Sequence, residues 1–143
     1  MEWQFGFRSA DELANATMGI PINMYYWENN NIVKSQTYRV PVLVNGRMVS
    51  LLTVLADEKM SAGDFGANRL AHIIQNLVDT HKVYPVGILR IYSITSDFFM
   101  FLTGGEIQYI PISANIYDHS RKVEILNLED IRQTVEKRAI YIN

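Results

Sequence analysis

The sequence predicts an α+β domain, a largely antiparallel sheet of about six strands with helices packed on it, in the order α-β-β-β-α-β-β-β-α. Three observations lead to this fold class. An Asn-Gly pair separates two β-rich runs, an amphipathic stretch follows with helical periodicity, and three further β-rich runs come after it between short turn sequences. The 143 residues suit one domain, so we expect a single globular domain over residues 1–143.

The amino-terminal region is expected to form a short helix at residues 9–16, ended by Gly19, and then a strand at residues 20–27. Three aromatic residues precede the helix: Trp3, Phe5 and Phe7. We expect them to dock as an edge strand. The alternative is an exposed patch that a second copy of the chain covers, which would make the protein a homo-oligomer.

The turn Asn45-Gly46 predicts a hairpin between strands at residues 38–44 and 47–55, because both central residues of a type I′ turn need positive φ. The second strand is apolar on both faces, which indicates a central strand covered on both sides. Pro41 cannot donate a ladder hydrogen bond, so we expect its strand to lie at an edge or to carry a bulge there.

The longest helix is predicted for residues 64–81, after a loop at residues 57–63. Its apolar residues recur at the spacing of a single buried stripe: Leu70, Ile73, Ile74, Leu77 and Val78. Polar residues fall on the opposite side. Asp64 or Ser61 is expected to cap the start of this helix.

The remaining chain predicts a three-stranded meander and a C-terminal helix. The strands are expected at residues 83–94, 98–103 and 106–112, with turns at residues 95–97 and at Gly104-Gly105. A polar cap then opens the helix near residue 127. The helix has a narrow apolar stripe: Leu128, Ile131, Val135 and Ala139.

The composition narrows the classes of function. Hydrophobic residues make up 48% of the chain and the net charge is −2, so a core can form and intrinsic disorder is excluded. Acidic and basic residues are balanced along the chain, which disfavours nucleic-acid binding. No apolar run is long enough to span a membrane. Cysteine is absent, which excludes disulfides and thiolate chemistry but leaves the localisation undecided.

Histidine gives little support for a catalytic or metal site. His72 has no second histidine or carboxylate one helical turn away, so we interpret it as a solvated surface residue. His81 suits the end of the long helix, where a cation is favoured. Asp118 and His119 are adjacent in the loop of residues 115–122, and neighbouring residues cannot converge as a catalytic triad does. We therefore predict no metal ion and no cofactor.

Aromatic residues at the end of the first strand are the best candidates for binding. Tyr25 and Trp27 face one side of that strand, whereas Tyr26 faces the other. Tyrosine and tryptophan combine an apolar body with a polar group, which suits contact with a sugar, a peptide or a partner protein. Packing within the sheet is the competing interpretation. The predicted binding residues are Tyr25, Trp27, Tyr38 and the loop residue Asn30.

The leading hypothesis is a non-enzymatic binding or accessory domain that recognises a protein, peptide or small ligand through a sheet face or loops. It depends on the lack of a nucleophile–base pair, a metal-ligand cluster or a phosphate-binding loop in the sequence. One alternative is a small enzyme whose acid–base residues are assembled by the fold, with Asp118 and His119 as candidates. Another is an inhibitory pro-segment or an oligomeric scaffold that uses an unpaired sheet edge.

Overall fold

The computed structural model describes residues 14–55, 61–66, 68–112 and 124–142. Within these ranges the chain is mixed α+β. In chain order they are β1 (Thr17–Met18), β2 (Ile22–Glu28), β3 (Asn31–Val44), β4 (Arg47–Leu55), β5 (Ser61–Gly66), α1 (Asn68–His81), β6 (Gly87–Ile91), a 3-10 turn (Tyr92–Ile94), β7 (Ser96–Thr103), β8 (Glu106–Ile112) and α2 (Leu128–Ile142).

The chain divides into two compact units. The first unit contains Met1–Asn23 and Ser35–Lys82, and the second contains Met24–Lys34 and Val83–Asn143. Strands β2 and β3 therefore contribute residues to both units. A single domain over the whole chain stays a prediction.

Two consecutive hairpins begin the described sheet. The predicted Asn45-Gly46 turn is confirmed, with φ of 53° and 78°, and it joins β3 to β4. A second turn of the same kind joins β2 to β3, because Asn29 and Asn30 have φ of 49° and 64°. Consequently β3 begins at Asn31, well before the predicted start at residue 38.

In the first unit, β3 carries an irregularity next to its proline. The register shifts between Val42 and Leu43, where β4 has one more residue than β3. Pro41 precedes this bulge and is buried, and its carbonyl accepts a hydrogen bond of 2.7 Å from the Gly19 N–H. The expected edge position or bulge at Pro41 is therefore wrong: β3 pairs on both sides, Pro41 is in register with Leu51, and the extra residue of the bulge belongs to β4.

The region before α1 differs from the prediction. Residues 61–66 form the strand β5, which pairs with β4, instead of a loop and a helix start at Asp64. Helix α1 accordingly begins at Asn68. Local capping signals favoured an earlier helix start, but pairing with β4 at both ends of the segment, at residues 61–62 and 65–66, holds it in an extended conformation. Because β5 pairs on one side and β3 on the other, β4 is central, as predicted.

Helix α1 packs on β4 in the first unit, and its buried face differs from the expected stripe, because Leu70 and Val78 are only half-buried whereas Ala71 is buried. Ile73, Ile74 and Leu77 are buried as predicted, but Gln75 is buried too, with 9% of its surface exposed. Its Oε1 accepts a hydrogen bond of 2.8 Å from the Met48 N–H. A polar side chain is tolerated there because it satisfies a backbone donor that is also buried.

In the second unit the sheet order is β2-β6-β7-β8. Strand β2 is parallel to β6, whereas the other pairs are antiparallel. The sheet is therefore mixed, and the prediction of a largely antiparallel sheet is only partly confirmed. The parallel pairing was not predicted because the whole segment from β3 to α1 lies between β2 and β6 in sequence. Local turn signals do not indicate which strands pair across such a long connection.

The predicted meander is present, but its first strand is shorter than expected. Strand β6 covers only Gly87–Ile91, and the 3-10 turn Tyr92–Ile94 follows it. Thr95 adopts a left-handed conformation with φ of 50° and ends the turn, so β7 begins at once. Residues 96 and 97 thus belong to β7 and not to the turn predicted for residues 95–97.

The core of the second unit lies between its sheet and helix α2. The fully or almost fully buried members are Leu89, Ile91, Ile94, Phe98, Met100, Tyr109 and Ile131. Helix α2 begins as predicted, because Asn127 and Asp130 form a reciprocal capping box. The Asp130 N–H donates to Asn127 Oδ1 at 2.8 Å, and the Asn127 N–H donates to Asp130 Oδ2 at 2.9 Å.

Three predictions fall outside the described residues. These concern the aromatic residues Trp3, Phe5 and Phe7, most of the helix at residues 9–16, and the loop that contains Asp118 and His119. Of the predicted first helix only Ala14 is described as helical, and Thr17–Met18 form the short strand β1 against β3.

Candidate functional site

The four predicted binding residues occupy different environments. Tyr25 and Trp27 are half-buried and pack against the core of the second unit. Tyr38 is half-buried in the first unit, where β3 pairs it with Val54 of β4. Asn30 is exposed in the turn between β2 and β3. The structure therefore brings Tyr25 and Trp27 to one cluster, and this cluster is the core packing that competed with the binding interpretation.

The opposite face of β2 leads to a different set of residues. The ladders place Tyr26 of β2 beside Arg90 of β6, and Arg90 beside Asp97 of β7. Residues paired in this way point to the same side of a sheet, so the three side chains form a row across three strands. Tyr92, directly after β6, adds a second ring. We call Tyr26, Arg90, Tyr92 and Asp97 the tyrosine–arginine cluster.

The two tyrosine rings of the cluster are stacked. Their centroids lie 5.8 Å apart and their planes differ by 11°. Tyr26 is half-buried, whereas Tyr92 is 68% exposed, which is high for a ring that already packs against a neighbour. An aromatic body with a hydroxyl at its edge is thus presented to solvent from the surface of the sheet.

Arg90 holds the cluster together electrostatically. Its Nε donates to Asp97 Oδ1 at 2.9 Å and its Nη2 donates to Oδ2 at 3.3 Å, a side-on bidentate arrangement. The hydrogen bond to Asp97 raises the pKa of the Arg90 guanidinium, against an opposing effect of desolvation. The guanidinium carbon also lies 5.7 Å from the centre of the Tyr92 ring, within the range of a cation–π interaction.

The turn that carries Tyr92 is fixed from the core side. The Thr95 N–H donates to the Tyr92 carbonyl at 3.1 Å, and Ile94 is buried in the core of the second unit. Arg138 of helix α2 donates through Nη1 to the Ile94 carbonyl at 3.3 Å and to Ser96 Oγ at 3.1 Å. An exposed ring on such a turn is positioned before any ligand arrives.

A buried row lies beside the cluster on the same face. Met24, Ile88, Phe99 and Ile110 are paired across the four strands of the second unit. Each of these side chains is at most 2% exposed. The cluster therefore lies where this face changes from fully buried to exposed. The buried row fixes the register of the strands that carry the cluster.

The tyrosine–arginine cluster consists of two stacked aromatic rings and one ion pair. In the parts of the chain that the structure describes, no group of three histidine, aspartate or glutamate side chains is close enough together to hold a metal ion. Among the same residues no helix has the length and apolar character needed to cross a membrane.

Sequence reasoning missed Arg90 and Tyr92 as candidates and recognised Tyr26 only as facing away from Tyr25. Arg90 and Tyr92 are two positions apart in a predicted strand, so their shared face was available as a signal. The pairing of Arg90 with Asp97 also follows once a tight connection between β6 and β7 is assumed. The parallel neighbour β2, which brings Tyr26 to Arg90, has no local signature.

Comparison of the chain with models of protein families, with curated proteins and with solved structures gives no match. Function is therefore inferred from the geometry of the chain itself.

Proposed function

We propose that the protein is a non-enzymatic binding or accessory domain, and that it recognises a protein, peptide or small ligand through the tyrosine–arginine cluster. The observation that carries this proposal is the exposure of Tyr92, 68%, on a turn that the core holds in place. A rigid ring that is presented to solvent loses little conformational entropy on binding, and this is a favourable property of a contact residue.

The residue types of the cluster support the same function. Tyrosine and arginine are enriched in interfaces and among the residues that carry most of the binding energy. Here two tyrosines and one arginine are adjacent on one sheet face. The salt bridge of Arg90 with Asp97 keeps the guanidinium oriented beside the Tyr92 ring.

The four residues predicted from the sequence have different roles in this proposal. Tyr25 and Trp27 anchor β2 to the core of the second unit and thereby position Tyr26 on the other face. Tyr38 and Asn30 stay predicted contact residues. The enzyme alternative rests on Asp118 and His119, outside the described residues, and no specific observation favours the pro-segment or scaffold alternatives.

The proposal is tested with protein labelled with 3-fluorotyrosine, in which each of the eight tyrosines gives its own fluorine NMR signal. A displayed random peptide library and a fragment set are selected against the wild type and then against Tyr92→Ala. We expect binders that shift the signals of Tyr26 and Tyr92 and that bind Tyr92→Ala at least about tenfold more weakly, as for a contact residue of this kind.

The matched control is Leu102→Ala, which removes another exposed apolar side chain from the second unit, 52% exposed on β7. It is expected to leave the affinity unchanged. The proposal is overturned if neither set yields a binder that needs Tyr92, or if Leu102→Ala and Tyr92→Ala weaken binding equally.

A further inference from the structure

We draw no further inference here: the strongest candidate, the exposed apolar surface at the end of strand β1, where Met18 and Ile20 lie beside β3 in the first unit, carries nothing because no feature of the described residues shows what covers it.

Discussion

Replacing Gln75 by leucine tests how helix α1 is joined to the β3–β4 hairpin in the first unit. Gln75 Oε1 accepts from the Met48 N–H at 2.8 Å, and its Nε2 donates to Asp79 Oδ1 at 3.0 Å. The last described pair of the β4–β5 ladder is Leu51 with Gly66, so β5 does not pair with Met48 in this ladder. The glutamine side chain provides the missing acceptor.

The expected cost follows from these two contacts. A buried donor left without an acceptor costs about 1–3 kcal/mol, and loss of the i,i+4 pair with Asp79 adds about 0.2–0.5 kcal/mol. Leucine and glutamine have similar helix propensities, so the helix itself contributes little. We expect Gln75→Leu to lower the free energy of unfolding by about 2 kcal/mol, or the urea midpoint by about 1 M.

Urea unfolding measures this change, and amide hydrogen exchange locates it. The Met48 amide is expected to exchange faster in Gln75→Leu than in the wild type, whereas the amides of α2 stay protected. The control is Asn76→Leu, the same kind of substitution at the exposed neighbouring position, which should shift stability by less than about 0.5 kcal/mol. Equal losses in the two variants, or an unchanged Met48 amide, would refute the reasoning.

Three further predictions concern side chains described above. Trp27→Ala and Tyr25→Ala should each lower the free energy of unfolding in urea by about 2 kcal/mol, because each removes a half-buried aromatic side chain from the core. Tyr92→Ala should lower it by less than about 1 kcal/mol, because Tyr92 is exposed. Comparable losses at all three positions would show that Tyr92 has a structural role. Hydrogen bonds from Arg47 and then Gln75 lower the pKa of Asp79, so its stabilising contribution is complete above the ordinary aspartate pKa and is lost as the pH falls through the lower folded value. Urea midpoints below about pH 4 should therefore fall less in Asp79→Asn than in the wild type, and parallel curves would contradict this. Burial, and then the nearby Tyr25, raise the pKa of Tyr109, so the folded state favours the neutral phenol. The stability that this preference contributes is lost as the pH rises above about 10. In an ultraviolet titration, Tyr109→Phe should lack one late-titrating tyrosine of the wild type.

Local sequence signals predicted the elements that depend on neighbouring residues. The Asn45-Gly46 turn and the cap formed by Asn127 and Asp130 are decided within four residues, and both are present. Strand β5 was missed because it forms by pairing with β4, and local sequence signals do not report such a pairing. The pairing overrides a local helix-capping signal at Asp64.

The candidate site was predicted less well than the fold, for the same physical reason. The sequence identified the strand that carries Tyr25 and Trp27 but could not show which of its faces is exposed. The face is decided by the parallel pairing of β2 with β6, which brings Tyr26 to Arg90. The 3-10 turn that carries Tyr92 is held by burial of Ile94 in the core and by a hydrogen bond from Arg138 of helix α2, which is distant in sequence.

The interleaving of the two units has a consequence for the order of folding during synthesis. Met24 pairs with Ile88, which is synthesised about sixty residues later, so β2 has no β6 to pair with until the whole first unit has been synthesised. Closing so long a connection costs chain entropy and slows the step. During that interval one side of the β2–β3 hairpin is a template for strand pairing with another nascent chain. Slow translation between residues 34 and 87 would therefore favour misassembly, and a chaperone that covers this hairpin would favour the native pairing.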